Sequence, residues 1–194
     1  TPYVEGDRVA PPNVYGQSKA QAEARVLQRL PSALVIRTSA FFGPWDEYNF
    51  VTLALRALSE GRVFAAADDL IVSPTYVPDL VHASLDLLID GERGIWHLAN
   101  AGEISWADLA RLAASFAGVS GEGVEPRPAS TFGFVAARPR YGVLASERGG
   151  LMPSLEDALS RYCREVNSNG GLLTSMLQAR VAAAHGAQGM SPAT

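Results

Sequence analysis

"NVYGQSKAQAEARVLQRLPSALVIRTS", residues 13–39, sets a helix-forming run directly before a short apolar run, and that order decides the fold class. Residues 13–30 are rich in helix formers and stop before Pro31, which cannot continue a helix. Val14, Ala22, Val26, Leu27 and Leu30 recur at helical spacing, which predicts one buried face. "ALVIRTS", residues 33–39, is apolar and β-branched and predicts a buried strand. Beyond it, "FFGPWDEYN" (41–49) reads as an aromatic loop, followed by a helix over 50–60 that Gly61 stops. "RVFAA" and "LIVS" predict short strands around a turn at Asp68 and Asp69. Pro78 begins a helix that ends before Gly91, and "GIWHLAN" (94–100) is the next strand. Ser105 with Asp108, and Ser154 with Glu156 and Asp157, mark two further helix starts. The proline-rich stretch between those helices has room for two short strands. After "NSNGG" (167–171), "LLTSMLQARVAAA" predicts a last helix, and the end of the chain reads as disordered.

Strands alternating with helices argue for α/β layers with a mostly parallel sheet. Two strong strands are few for a doubly wound domain, which uses about five or six. Much of the sheet is therefore expected upstream of Thr1. Apolar residues make up 47% of the 194, an ordinary globular composition. The formal charge of −4, with no basic stripe, argues against a nucleic-acid partner. No apolar run approaches the roughly 20 residues that span a bilayer, so no membrane partner is expected. A single cysteine, Cys163, excludes an internal disulfide and fits a reducing compartment, so a cytoplasmic protein is expected. His82, His97 and His185 lie far apart without ligand spacing, so no metal site is expected and the first two read as structural.

Lys19 is the only lysine beside fifteen arginines, and it stands four residues after Tyr15. Residues four apart on a helix share a face, so phenol and ammonium can reach one space. A positive charge beside a phenol favours its ionised form and makes a tyrosine serviceable in proton transfer near neutral pH. Arginine's flat fork has a different geometry. Against this stands the plain reading, a solvated Tyr-x-x-x-Lys pair; the sole lysine falling at this spacing favours the chemical one. Trp45 and Tyr48 in the aromatic loop suit either a stacking surface or the underside of a lid. Arg127, Arg138 and Arg140 suit a diphosphate, or simply a solvated surface.

"PYVEGD…PPNVYGQSKAQAE" resembles the segment that carries the catalytic Tyr-x-x-x-Lys in extended short-chain dehydrogenases/reductases. Within that superfamily the chain is most similar to the dTDP-4-dehydrorhamnose reductase family. "VIRTSAFFGP", "SPTYVPDLVHA", "GIWHLANAGEISWADLA", "ARPRYGVLAS" and "PSLEDALSRY" follow in the family's order, so the resemblance covers about residues 2–165. It implies an α/β fold, the C-terminal part of a Rossmann-like doubly wound parallel sheet with a small interleaved substrate-binding subdomain. Residues 1–44 and 74–100 would form the Rossmann-like part, 45–73 and 101–166 the subdomain, and 167–194 a helical or disordered tail. It also implies NADP- or NAD-dependent reduction of a 4-keto sugar nucleotide. Tyr15 would be the proton donor, and Lys19 its activator and a ribose contact. Arg37, Thr38 and Ser39 match the strand end beside the cofactor, and Asn49, Phe50, Pro74 and Thr75 match motifs near the substrate. The glycine-rich dinucleotide loop and the catalytic Ser/Thr would lie upstream of Thr1, in a missing N-terminal segment or a partner chain. The 194 residues alone are expected to be inactive. Ala40 stands where the reductases often carry tryptophan. A non-catalytic binding module of the same fold, or an epimerase or dehydratase, remains an alternative. A homo-oligomer is compatible with all of these.

Overall fold

The computed structural model describes residues 1–168; the expected last helix at 172–184 and the end of the chain lie outside them. The first helix, α1 (Val14–Arg29), opens where Asn13 accepts a hydrogen bond from the Gly16 N–H at 2.8 Å. Strand β1 (Leu34–Arg37) follows, then β2 (Phe41–Phe42) and helix α2 (Phe50–Ser59). Strands β3 (Phe64–Ala67), β4 (Ile71–Val72) and β5 (Thr75–Tyr76) lead into α3 (Val77–Ile89). Next come β6 (Gly94–His97), β7 (Ile104–Ser105) and α4 (Trp106–Ala117). Strand β8 (Val124–Arg127), β9 (Tyr141–Gly142) and α5 (Leu155–Ser168) complete the order. Asn167 and Ser168, assigned from the sequence to a tail, are the last residues of α5.

The strands pair mostly in parallel, as an α/β chain requires. β1 runs parallel to β6 with Leu34 opposite Gly94 and Arg37 opposite His97. β2 pairs with β5 and β3 with β8, also in parallel. Among the described residues only β4–β7 is antiparallel, within the small sheet β7–β4–β9. The two-residue strands β2, β5 and β7 escape a reading by periodicity, because two residues carry no period.

Two apolar clusters hold these elements. The larger joins α2, α4 and α5 through Val51, Leu55, Leu109, Leu159 and Tyr162. Ala107, Ala110, Ala113 and Ala114 are fully buried, and their small side chains let α4 lie close to α2 and to β3. Gly118 ends α4 in the left-handed conformation at φ 67°, where any side chain would strain the backbone. The smaller cluster packs α3 on β6 through Ala83, Leu87, Trp96 and Leu98. Between the clusters, Arg161 of α5 forks onto buried Asp79 of α3 at 2.6 and 2.7 Å, and Asn100 donates to the same carboxylate at 2.8 Å. Burial alone would raise the Asp79 carboxyl, but these donors outweigh it and hold it below the ordinary carboxylate value.

Helix α1 departs from expectation. None of its residues is buried, and Val14, Val26 and Leu30 are 80%, 45% and 55% exposed. What α1 turns toward the sheet is the stripe Gly16, Ala20, Glu23 and Leu27, each half-buried. The predicted buried strand is likewise only half-buried at all four residues of β1. Both differences have one cause. Apolar spacing records which face can be covered, and among the described residues nothing covers this one. β1 has β6 on one edge and, among those residues, no strand on the other.

Candidate active site

The start of α1 is fixed by close contact. A Cβ on Gly16 would stand 2.7 Å from Pro11 Cβ and 3.3 Å from the capping oxygen of Asn13, so any side chain after Tyr15 would force its neighbours to shift. Asn13 also donates from Nδ2 to the Ala137 carbonyl at 2.9 Å, tying the helix start to the loop before β9. Tyr15 is 71% exposed, and Lys19 Nζ stands 5.4 Å from the centre of its ring. Lys19 makes no hydrogen bond or ion pair among the described residues. At about 100° per residue, Tyr15, Lys19, Ala22 and Val26 form one stripe, about a quarter turn from the sheet-facing stripe. Tyr15 and Lys19 thus share an uncovered face of α1 with Ala22 and Val26.

At the carboxyl end of β1, Arg37 turns into the fold. Its Nε lies 3.1 and 3.0 Å from the two carboxylate oxygens of Glu23, and its Nη2 lies 2.7 Å from Oε2. Its Nη1 is 3.3 Å from His97 Nε2. Thr38 and Thr75 join their hydroxyls at 3.1 Å, with Thr75 fully buried. Ala40 then takes φ 41°, the one positive value at a non-glycine residue among those described. Its carbonyl accepts the Thr75 N–H at 2.9 Å, so the bend that follows Ser39 is also where β2 meets β5. Backbone strain of this kind gathers at functional sites.

The expected substrate residues sit deeper. Asn49 is buried and caps α2, accepting from the Thr52 N–H at 3.0 Å. Its Nδ2 faces the carbonyls of Gly43 at 3.1 Å and Asp46 at 2.5 Å. That leaves the side chain organising the 43–49 loop. Phe50 meets Trp106 edge-on at 4.6 Å and Phe64 at 5.3 Å, and Pro74 is fully buried. Trp45 and Tyr48, on the loop that Asn49 holds, are 71% and 81% exposed. Arg127 is paired with Glu125, and Arg138 lies over the Phe134 ring. A cavity of about 310 Å³ opens beneath α1, walled by Lys19, Arg8, Pro11, Arg37, His97 and Tyr141.

The sequence reading missed the polar web under this cavity. His97 is buried, and its Nδ1 faces the carbonyls of Tyr3 at 3.1 Å and Ala145 at 3.0 Å. Glu5 accepts the His97 N–H at 2.8 Å, Ser146 Oγ at 2.6 Å and the Glu147 N–H at 2.9 Å. Burial would raise the Glu5 carboxyl, but these three donors lower it to about 2. His82, read as structural, is instead exposed on α3. Among the described residues no group of three or more potential ligands could hold a metal. No helix there is long and apolar enough to cross a membrane.

These elements define a Rossmann-like α/β protein with parallel strand pairs and a Tyr-x-x-x-Lys helix at its open side. Residues 1–163 match the RmlD substrate binding domain, and the chain belongs to that family. It is 38% identical over 171 residues to the dTDP-4-dehydrorhamnose reductase of Mycolicibacterium smegmatis, covering 82% of this chain and 52% of that one. It is 32% identical to the dTDP-4-keto-6-deoxy-D-glucose reductase of Streptomyces niveus, covering 78% and 54%. Among solved structures, the Bacillus anthracis dTDP-4-dehydrorhamnose reductase in complex with NADP superposes with a TM-score of 0.79 at 34% identity. That match covers 84% of this chain and 59% of the other. The chain spans about half the length of the curated relatives it matches.

Proposed function

We propose that the chain is the tyrosine- and lysine-bearing half of a sugar-nucleotide reductase that reduces the 4-keto group of a dTDP-linked deoxysugar. The observation that carries this reading is Tyr15 and Lys19 side by side on the uncovered face of α1, a helix none of whose residues is buried. A cofactor-binding half, on the same polypeptide or a partner, would add strands along the free edge of β1 and cover α1. Residues 1–44 and 74–100 would join that half in one sheet, while 45–73 and 101–166 hold the sugar nucleotide.

A nicotinamide, NADP as in the B. anthracis relative or NAD, supplies the hydride when bound. The residues present fit such a group. Lys19 keeps three N–H donors without a partner among the described residues, which suits ribose hydroxyls. Thr38 and Ser39 directly follow β1, at the carboxyl edge where ligands of parallel sheets lie. Tyr15 donates its phenolic proton to the carbonyl oxygen as the carbonyl carbon becomes tetrahedral, so the ketone leaves as an alcohol. Lys19 steadies the phenolate left behind until solvent returns a proton. Trp45 and Tyr48 supply aromatic surface for the base or the sugar.

The test joins the chain, in one polypeptide, to the dinucleotide-binding half of the M. smegmatis relative. NADPH oxidation with dTDP-4-keto-6-deoxyglucose is expected from the joined protein and none from the 194 residues alone. Tyr15→Phe should lower kcat about 10²–10⁴-fold and leave cofactor binding intact. A joined protein that binds both ligands without turnover, or an active Phe variant, would overturn the reading.

A further inference from the structure

We propose that Glu23, Arg37 and His97 form a lock that sets the height and rotation of α1, making all three positioning residues for Tyr15 and Lys19. The proposal rests on the reductase reading above for its catalytic consequence, and on geometry for the lock itself.

A helix that buries no residue has little apolar packing to hold it. Two polar tethers serve instead, and they bracket the reactive pair. At one end Asn13 caps the helix and reaches the Ala137 carbonyl. At the other, Glu23 meets the Arg37 guanidinium through three N···O contacts of 2.7–3.1 Å, with only 21% and 18% of the two side chains exposed. A fork of this kind fixes direction as well as distance, which a point charge does not. Glu23 lies eight residues beyond Tyr15, about 12 Å along the axis at 1.5 Å per residue. Any slip or roll of α1 at Glu23 is therefore carried rigidly to the phenol.

Arg37 is itself held from behind. His97 Nδ1 faces two carbonyl oxygens, so the tautomer that satisfies them carries its hydrogen there. Nε2 is then free to accept from Arg37 Nη1 at 3.3 Å. Arg37 and His97 stand opposite each other in the β1–β6 register, so the contact runs straight across the parallel pair. The chain of contacts passes from α1 through β1 and β6 to Tyr3 and Ala145. Arg37, which the family resemblance puts beside the cofactor, is engaged on Nε and both Nη atoms by the fold.

Arg37→Ala removes the fork, and free guanidinium at millimolar concentration can refill its place. In the 194-residue chain, amide hydrogen exchange across 14–29 should quicken about tenfold or more in Arg37→Ala, with α4 and α5 unchanged. Added guanidinium should restore protection, and Arg37→Lys should not. Glu23→Gln, milder and nearer the surface, should show the same local loss without rescue. In the joined protein, Arg37→Ala should lower kcat about 10²-fold, as a misplacement of about 1 Å does, at unchanged KM, with guanidinium reversing it. Unchanged exchange in α1 for both Arg37→Ala and Glu23→Gln would overturn the lock. So would a loss that spreads through α4 and α5, which would mark general stability. Should the unmutated joined protein lack turnover, the reductase reading falls while the exchange result still decides the lock.

Discussion

Gly16 poses a contest between two effects of known size. Alanine in a helix interior is favoured over glycine by about 1 kcal/mol. Its Cβ here would stand 2.7 Å from a proline ring atom that cannot swing away, and overpacking costs about 1–3 kcal/mol. Gly16→Ala should therefore destabilise the chain by about 1 kcal/mol, read as a lower urea midpoint; a higher midpoint would show that Pro11 yields. Glu5 makes a second prediction, in pH. Its carboxyl is lowered from 4.5 to about 2 in the folded chain, so its contribution is fully present above about pH 4.5. That contribution is lost as pH falls toward 2. Glu5→Gln should flatten the acid limb of a stability profile over that window, and an unchanged limb would count against the three-donor site.

At the scale of elements, Asp79 is the costly charge. Its side chain is 7% exposed, and Arg161→Met would leave it with Asn100 as its remaining side-chain donor. A loss of about 3 kcal/mol is expected, measurable by denaturant unfolding; less than about 1 kcal/mol would place the holding force in the apolar clusters. Helix α1 makes the opposite prediction. Val26→Asp should change the stability of the 194-residue chain by less than about 0.5 kcal/mol, since the site is exposed. In the joined protein the same change should be severe, if that stripe is where the cofactor half rests. Elements with a full period were legible in the sequence: α1, α2, α4 and α5 begin within a residue of their expected starts, three of them at an asparagine or serine that caps the helix. The burial of α1 was not legible, because spacing cannot say whether a partner is present.

For the whole molecule, the legible part is what depends on chain order, and the hidden part is what depends on distant residues meeting. Alternation gave parallel α/β layers, and β1–β6 and β3–β8 are parallel as expected. Tyr15 and Lys19 stood out because four residues make one turn. Arg37 and His97 were singled out, but their pairings with Glu23 and Glu5 were out of reach, since a web that ties residue 5 to residue 146 leaves no local pattern. Asn49 and Phe50, which the resemblance puts near the substrate, have side chains spent on capping and packing.

The solitary lysine has a practical consequence. An amine-reactive dye has a single side chain to acylate, apart from the α-amino group of the chain, and that side chain is exposed on α1. One tag could therefore be placed beside Tyr15 without mutation, and its emission would change when another polypeptide settles over the helix. Lys19, the phenol's proposed partner, is also a ready-made reporter of assembly.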